Sequence, residues 1–504
     1  MSQSDAANKK LFWACFIALV ATSFFFGLRS VVVPELQETF NLSGTQIGQV
    51  LGVGLWPFAF SIIVFSLIID RIGYKTAAWF AVIAHTVAVL GTLYAIKTAS
   101  YQWLYWSTFL VAIANGTVEA FINPVVATVY NKEKSKWLNI LHAGWPAGLA
   151  LGGAAGLLLG NSGLDLFVKL AVCLIPVVFY ALLIAPCRFP VQERVAAGVT
   201  YRDMLREVGA LGFLMMAWLV VMGVGQILNH QIPVAVSLGI AAVVGVAAFA
   251  YTKSLGNLMF VLILITMPFL ATTELGTDTW MAELLSADLP KIAGWVFVLV
   301  SIIMTILRFY AGPIVHKFSP IGLLVGSAAL AIVGLLCLGY APANLMVAAA
   351  ILYAFGKTFL WSTTLGVVSE QFPKGGALTL NGVSAVGVLG MGILGAPLMG
   401  LYLDQGIDAD LRAEQTALHA KVDGGQRQTM FGESPSLKMD VVETLAGEEK
   451  AALDRIVNAN KKESFIRQAA LPGVMLVAYL ILFAYFKSRG GYRPVDLAHS
   501  HAKE

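Results

Sequence analysis

Charge is what this 504-residue chain has least of: Asp, Glu, Lys and Arg together make up 12% of it. Soluble globular domains carry roughly 25%. With 58% of residues hydrophobic, there is too little polar side chain to cover the surface that a soluble fold of this mass would expose. A soluble enzyme or scaffold is excluded, and the chain reads as a polytopic membrane protein. Cysteine is scarce too: Cys15, Cys173, Cys187 and Cys337 stand singly, without CxxC spacing, which excludes a disulfide framework and a thiolate metal site. There is no HExxH, paired-histidine box, nucleophile elbow or phosphate loop. The expectation is therefore no enzyme, no cofactor and no metal. The net charge of +4 is spread over short loops rather than one face, so no nucleic-acid partner is expected.

What is there is long apolar runs. Lys9 and Lys10 followed by an apolar stretch from Leu11 could open a signal peptide, but the stretch is too long for one and has no A-x-A site. It reads as a retained first span. A spanning helix needs roughly 20 mainly apolar residues, and such runs fall near 11–33, 45–69, 76–96, 102–130, 138–160 and 166–186. More follow at 210–229, 232–252, 257–285, 291–313, 320–340, 343–369, 376–403 and 468–486, fourteen in all. Lys and Arg concentrate in every second loop (Arg71 and Lys75; Lys132, Lys134 and Lys136; Arg188 to Arg206; Lys253; Lys317; Lys374) and in the tail. By the positive-inside rule both ends are cytoplasmic. A multi-pass protein of a bacterial inner membrane, monomeric in the bilayer, is the expectation.

The chain divides into a first six-helix bundle (1–186), a basic cytoplasmic connector expected to be amphipathic (187–209) and an almost featureless helix pair (210–252). The first five helices of a second bundle (253–403), an extracytoplasmic insertion (404–466), and a last helix with its tail (467–504) complete it. Removing the pair leaves six helices, a connector and six helices, the organisation of one large transporter class.

Short motifs sharpen this. Ser66-Leu-Ile-Ile-Asp70-Arg71-Ile-Gly73-Tyr-Lys75 follows the second span, and resembles the G-x3-D-R-x-G-R/K-R/K loop of the major facilitator superfamily. Ser stands for the first Gly and Tyr74 for a basic residue. Arg308-Phe-Tyr-Ala-Gly312 through Pro320 resembles the counterpart in the second half of such permeases. Glu119-Ala-Phe-Ile-Asn123-Pro124, Leu138-Asn139-Ile-Leu-His142 with Trp145 and Gly148, and Glu274-Leu-Gly276-Thr-Asp278-Thr-Trp280 are similar to stretches of the fucose–galactose–hexose/proton symporter branch. The first span departs from it in lacking a carboxylate. The resemblance implies an all-α major facilitator fold, two six-helix bundles plus two inserted helices, and secondary active import of a sugar or glycoside by proton symport. Organic-anion (sugar-acid) or nucleoside symport is the alternative. Asp70, Arg71, Gly73 and Lys75, with Arg308 and Gly312, would form the gating elements.

Ionisable groups at bilayer depth are costly and need a reason. Glu119 and Asn123, four apart, share a helix face. A carboxyl buried alone can take a proton on one side and release it when the cavity reopens, which makes Glu119 the first candidate for proton coupling; a hydrogen-bonded brace is the alternative. Glu274 and Asp278, also four apart, could share a proton, help hold a sodium ion, or pair with Lys357 or Arg29. Arg29 could instead grip a substrate carboxylate with its planar fork. Asn139, His142 and Trp145 form one polar-aromatic stripe, and Lys357, Trp361 and Thr364 another. With Asn123, Trp280 and Arg29 these are the candidate substrate contacts, supplying hydrogen bonds and ring faces for a small molecule. His85 reads as a hydrogen-bonded core residue. Glycines at 44, 48 and 52 and at 152, 156 and 160, and small residues at 392, 396 and 400, are expected to permit close helix packing.

Overall fold

The fold is taken from a computed structural model, which describes residues 3–42, 44–160, 162–227, 232–286 and 289–497, without the side chains of a few of these, Trp280 among them. Backbone polar groups at bilayer depth have no water to bond, so each apolar run must satisfy its own as helix. Among the described residues thirteen helices are long and apolar enough to cross, and fourteen if Ala293–Phe309 and Ala311–Phe318, bent by 63°, count as one span. The fourteen spans read from hydropathy are all present. Local chemistry sets the ends. Ser100 accepts from Trp103 N to start the helix Tyr101–Val129, and Ser319 caps Pro320–Tyr340, with Pro320 in its first turn. Gly73, at φ +82°, ends Trp56–Ile72 and at once begins Tyr74–Thr98, a turn other residues adopt only with strain.

The first bundle closes where the helix Gln3–Thr39 lies against Gly144–Gly160. A Cβ on Gly148 would collide with Ser23 Oγ and Val20 O, and one on Gly152 with Phe24 O. The same glycine stripe stops short at Gly160, and Gly52, Gly392 and Gly400 face open space. Close packing at those four positions is thus not what their spacing serves. The surroundings of Gly44 and Gly48 lie outside the described residues.

Of the inserted pair, Tyr201–Ile227 packs on the second bundle, with Met216 Cε against Gly382 and Gly223 facing Ile393 and Leu389. Val234–Thr252 packs on its partner, where Trp218 Nε1 donates to Ser237 Oγ at 3.1 Å, and leaves Val243 and Val246 about 70% bare. A helix so apolar and so exposed is solvated by lipid.

One sequence expectation changes. The connector is irregular between 185 and 200 apart from the one turn Glu193–Ala196. It is drawn inward because Arg194, 4% exposed, donates to Val199 O and pairs with Asp70. The insertion at 404–466 is built on the membrane helices themselves. The helix Ala396–Glu414 leaves the membrane segment without a break in the chain's helicity, and Gly447–Gln468 runs into Ala470–Ser488 at the other end. Between them an antiparallel hairpin, Asp423–Thr429 with Gly432–Leu437, pairs Gln426 to Pro435 and Arg427 to Ser434. Ile407, Leu411, Leu418, Val422, Leu453 and Ile456 form this extension's own core. The molecule therefore has a face carrying the loops at 71–73 and 130–133 together with the first and last described residues, here called the terminal face. The extension stands on the opposite, insertion face.

Candidate functional site

Midway between these faces, the two bundles enclose a pocket of about 290 Å³ lined by Phe58, Glu119, His142, Trp145, Glu274, Arg308 and Trp361 among others. Glu119, Asn123 and Asn115 stand at four-residue intervals on one face of Tyr101–Val129. Glu119 Oε2 accepts from Asn123 Nδ2 at 2.7 Å, and Asn123 Oδ1 lies 2.9 Å from His142 Nε2, which requires a proton on that nitrogen. Asn123 Nδ2 also reaches Asn381 Oδ1 of the second bundle at 3.5 Å, and Asn381 donates back to Ala120 O at 2.9 Å. Among the described residues no cation pairs with Glu119.

Glu274 is held differently. It sits in a π-helical turn, Thr272–Gly276, within the helical stretch that starts at Leu258. Such a widened turn, common at functional positions, rotates a side chain out of its α-helical register. A second π turn, Met391–Gly395, abuts it, and a Cβ on Gly395 would strike Thr272 Oγ1. Glu274 Oε1 pairs with Arg308 Nη2 at 2.5 Å and its Oε2 accepts from Trp361 N at 3.0 Å. Arg308 Nε donates to Thr358 O at 2.7 Å, and Nη1 crosses to the first bundle to donate to His142 O at 2.8 Å. Both members of this ion pair are 1% exposed. Lys357, buried over the Tyr353 ring, pairs with Asp278.

One pocket wall is aromatic. Trp145 stacks on Phe58 with ring centres 6.4 Å apart and planes 8° apart, and touches Phe26 at 5.6 Å. Its Nε1 has no hydrogen-bond partner among the described residues.

Below the pocket the seam between bundles is closed at the terminal face. Asn139 accepts from Ser362 Oγ at 2.6 Å and donates to Thr363 Oγ1 at 3.2 Å, so it clamps the bundles together and stands outside the pocket lining. Ser135 N donates to Glu370 Oε1 at 2.8 Å, and Lys134 donates to Glu193 at 2.6 Å and to Ser369 O at 3.3 Å. The C-terminal tail joins in: Tyr492 donates to Glu370 Oε2 at 2.7 Å, and Val495 N to Glu370 O at 2.8 Å. Burial, and then the Glu370 carboxylate beside it, push the Tyr492 phenol well above its usual range. With its amide turned to donate to Asp70 at 3.0 Å and accept from Ala377 N at 2.6 Å, Gln192 links the motif aspartate to a helix start in the other bundle.

The sequence candidates thus separate into groups. Glu119, Asn123, His142, Trp145, Glu274 and Trp361 meet at or beside the pocket. Arg308, expected among the gating residues at the terminal face, joins them at the centre, because only there does a buried carboxylate answer its charge. Asp70 and Gly73 lie at the terminal face, with Arg71 over the Tyr201 ring, Lys75 donating to Ala185 O, and Gly312 beside the Lys136 side chain, which a Cβ there would meet at 3.3 Å. Arg29 sits apart, over Phe26, in a cleft of the first bundle. The Trp280 side chain lies outside the described residues. Asn381, Ser362, Glu370 and Phe58 were missed. None carries a motif signal, but Asn115 was visible as the next step of the Asn123–Glu119 spacing.

The Major Facilitator Superfamily model matches residues 15–282, more than half of the chain. No curated protein matches it. Solved structures share the fold at low identity. An Escherichia coli fucose:proton symporter superposes with a TM-score of 0.61 at 12% identity, covering 95% of this chain and 99% of its own. A proton:xylose symporter superposes with a TM-score of 0.61 at 14%, covering 96% of each. A human organic anion transporter gives 0.60 at 11%, covering 95% and 100%. With two bundles, a midplane pocket and that family match, the chain belongs to the major facilitator superfamily.

Proposed function

We propose that this protein is a secondary active transporter of the cell membrane that imports a sugar or glycoside by proton-coupled symport. Both termini and the closed seam would then face the cytoplasm, and substrate would enter from the side of the extension. The observation that carries the reading is the contrast between two carboxyls in one pocket. Glu274 has the Arg308 guanidinium to answer its charge, whereas Glu119 has a neutral amide. A group so placed can afford its charge only when water or a cation reaches it, so its proton leaves when the pocket opens. Asn123 would report that opening, since its contact with Asn381 spans the seam. The unpartnered Trp145 N–H and the ring faces of Trp145, Phe58 and Trp361 suit a hydroxylated ring with apolar CH faces. The Arg308–Glu274 and Lys357–Asp278 pairs would hold the second bundle's half of the site in shape. Solved structures of the same fold include symporters for fucose and xylose.

Uptake of a radiolabelled sugar panel into proteoliposomes, under an imposed proton or sodium gradient, tests this with the parent and Glu119→Gln. The expected result is proton-driven accumulation by the parent, lost in the variant while exchange of internal for external sugar is retained. Equal gradient-driven accumulation by both removes Glu119 from the role, and accumulation only under sodium removes the proton.

A further inference from the structure

A second cleft, about 650 Å³ of space open to solvent, lies apart from the central pocket, within the first bundle. Its walls are apolar, including Phe25, Phe26, Val89, Leu104 and Leu170. Two polar groups stand out against them. The Arg29 guanidinium lies over the Phe26 ring with 5.5 Å to its centre, and among the described residues it has no carboxylate, hydroxyl or carbonyl to accept its hydrogen bonds. Room for it is made by Gly54, where any Cβ would meet the guanidinium. The second group is Asn115. Its Oδ1 is taken by His85 Nε2 at 2.7 Å, and Tyr180 holds the other ring nitrogen at 2.8 Å, which leaves the Asn115 amide N–H bonds without an acceptor. Thr92 and Thr108, also in the lining, spend their hydroxyl protons on the carbonyls of Ala88 and Leu104.

The cleft therefore offers a full positive charge and unmet donors, with no carboxylate of its own, inside an apolar enclosure. At such depth a guanidinium is costly and is ordinarily found paired. Its flat fork fits two anionic oxygens at once. We infer that this cleft is a binding site for an organic monoanion with an apolar body, its charged oxygens on Arg29 and Asn115 and its body along Phe25, Phe26 and Leu170. The Phe26 ring partitions it from the central pocket, since Phe26 also touches Trp145 and Phe58 at 5.6 and 6.3 Å. The site needs no assumption about what the central pocket carries.

Titration calorimetry of the full chain in phosphatidylcholine nanodiscs, with 4-phenylbutyrate as the probe and its uncharged amide as the comparison, tests the inference. Saturable binding of the carboxylate is expected, weakened at least about tenfold by Arg29→Gln, partly kept by Arg29→Lys, and absent with the amide. A thermal melt of each variant separates lost binding from lost folding. Equal affinity of parent and Arg29→Gln, or equal binding of acid and amide, would overturn it. Repeating the titration with phosphatidylglycerol in the disc identifies the natural source: competition points to an anionic lipid and its absence to a free solute. Sugar uptake by the same preparation is scored separately, so either reading can fail alone.

Discussion

The Arg308 guanidinium reaches across the seam to donate to the His142 carbonyl oxygen at 2.8 Å while its other arm holds Glu274. One side chain thus neutralises a carboxylate in its own bundle and binds the backbone of the other. It does so where the chain between Ile140 and Trp145 breaks from one helix, Lys134–His142, into the next. Separation of the bundles at this level must cost that bond while leaving the ion pair whole.

Removing one member of so buried a pair strands the other. Glu274→Gln or Arg308→Ala should each destabilise the protein by about 3–5 kcal/mol, since the remaining charge has no partner. The double replacement Glu274→Gln with Arg308→Gln should recover part of the loss. Denaturation midpoints in detergent measure this, and an Arg308→Ala midpoint equal to the parent's would contradict the pairing.

Asn139 holds Ser362 and Thr363 from the opposite bundle. Asn139→Ala deletes these bonds at about 1 kcal/mol each, which shifts a two-state balance at least about fivefold toward opening at the terminal face. Spin labels at the exposed Lys132 and Lys317 report this as a growing long-distance population. Unchanged distance distributions would mean that the clamp does not set the balance.

The tail gives a gentler handle on the same seam. Truncation after Gly490 takes away two of the partners of Glu370 and should open the terminal face in the same direction, with Tyr492→Phe giving a smaller effect of about 1 kcal/mol. The phenol's raised pKa means that its contribution is complete below the unfolded value of about 10 and is lost only as pH climbs through the higher folded value. Hydrogen exchange of residues 492–497 should therefore keep the same protection factors from about pH 6 to pH 9. A drop in protection within that window would show the phenol ionising there.

Glycine spacing alone does not say which positions matter. Gly148→Ala and Gly152→Ala should each cost about 1–3 kcal/mol by forcing the first helix away. Gly392→Ala and Gly400→Ala, which face open space, should be neutral within about 0.5 kcal/mol. Similar melting points for all four would refute the distinction.

Hydropathy was sufficient for the spans and for the two-bundle division, because lipid leaves the backbone few alternatives. The helical period placed Glu119 with Asn123, and the fold brings His142 to them. Contacts that depend on how the bundles meet were not legible. Arg308 reads as a residue at a span's end because hydropathy does not register the bend after Phe309. Asn139 shares its stripe and its helix with His142, yet it meets Ser362 and Thr363 across the seam while His142 meets Asn123. Arg29 could be seen to need a partner, but only the fold reveals that none is supplied among the described residues. The connector misled because its basic residues suggest a membrane-surface helix, while Asp70, over a hundred residues earlier, claims Arg194.

The extension on the insertion face grows from two membrane helices without flexible joints. Any tilt of either helix is magnified along these stalks into a swing of the hairpin, as a needle magnifies the turn of its pivot. A nanobody clamped on Asp423–Leu437 would accordingly act as a brake on the helices beneath it, without ever touching the translocation path.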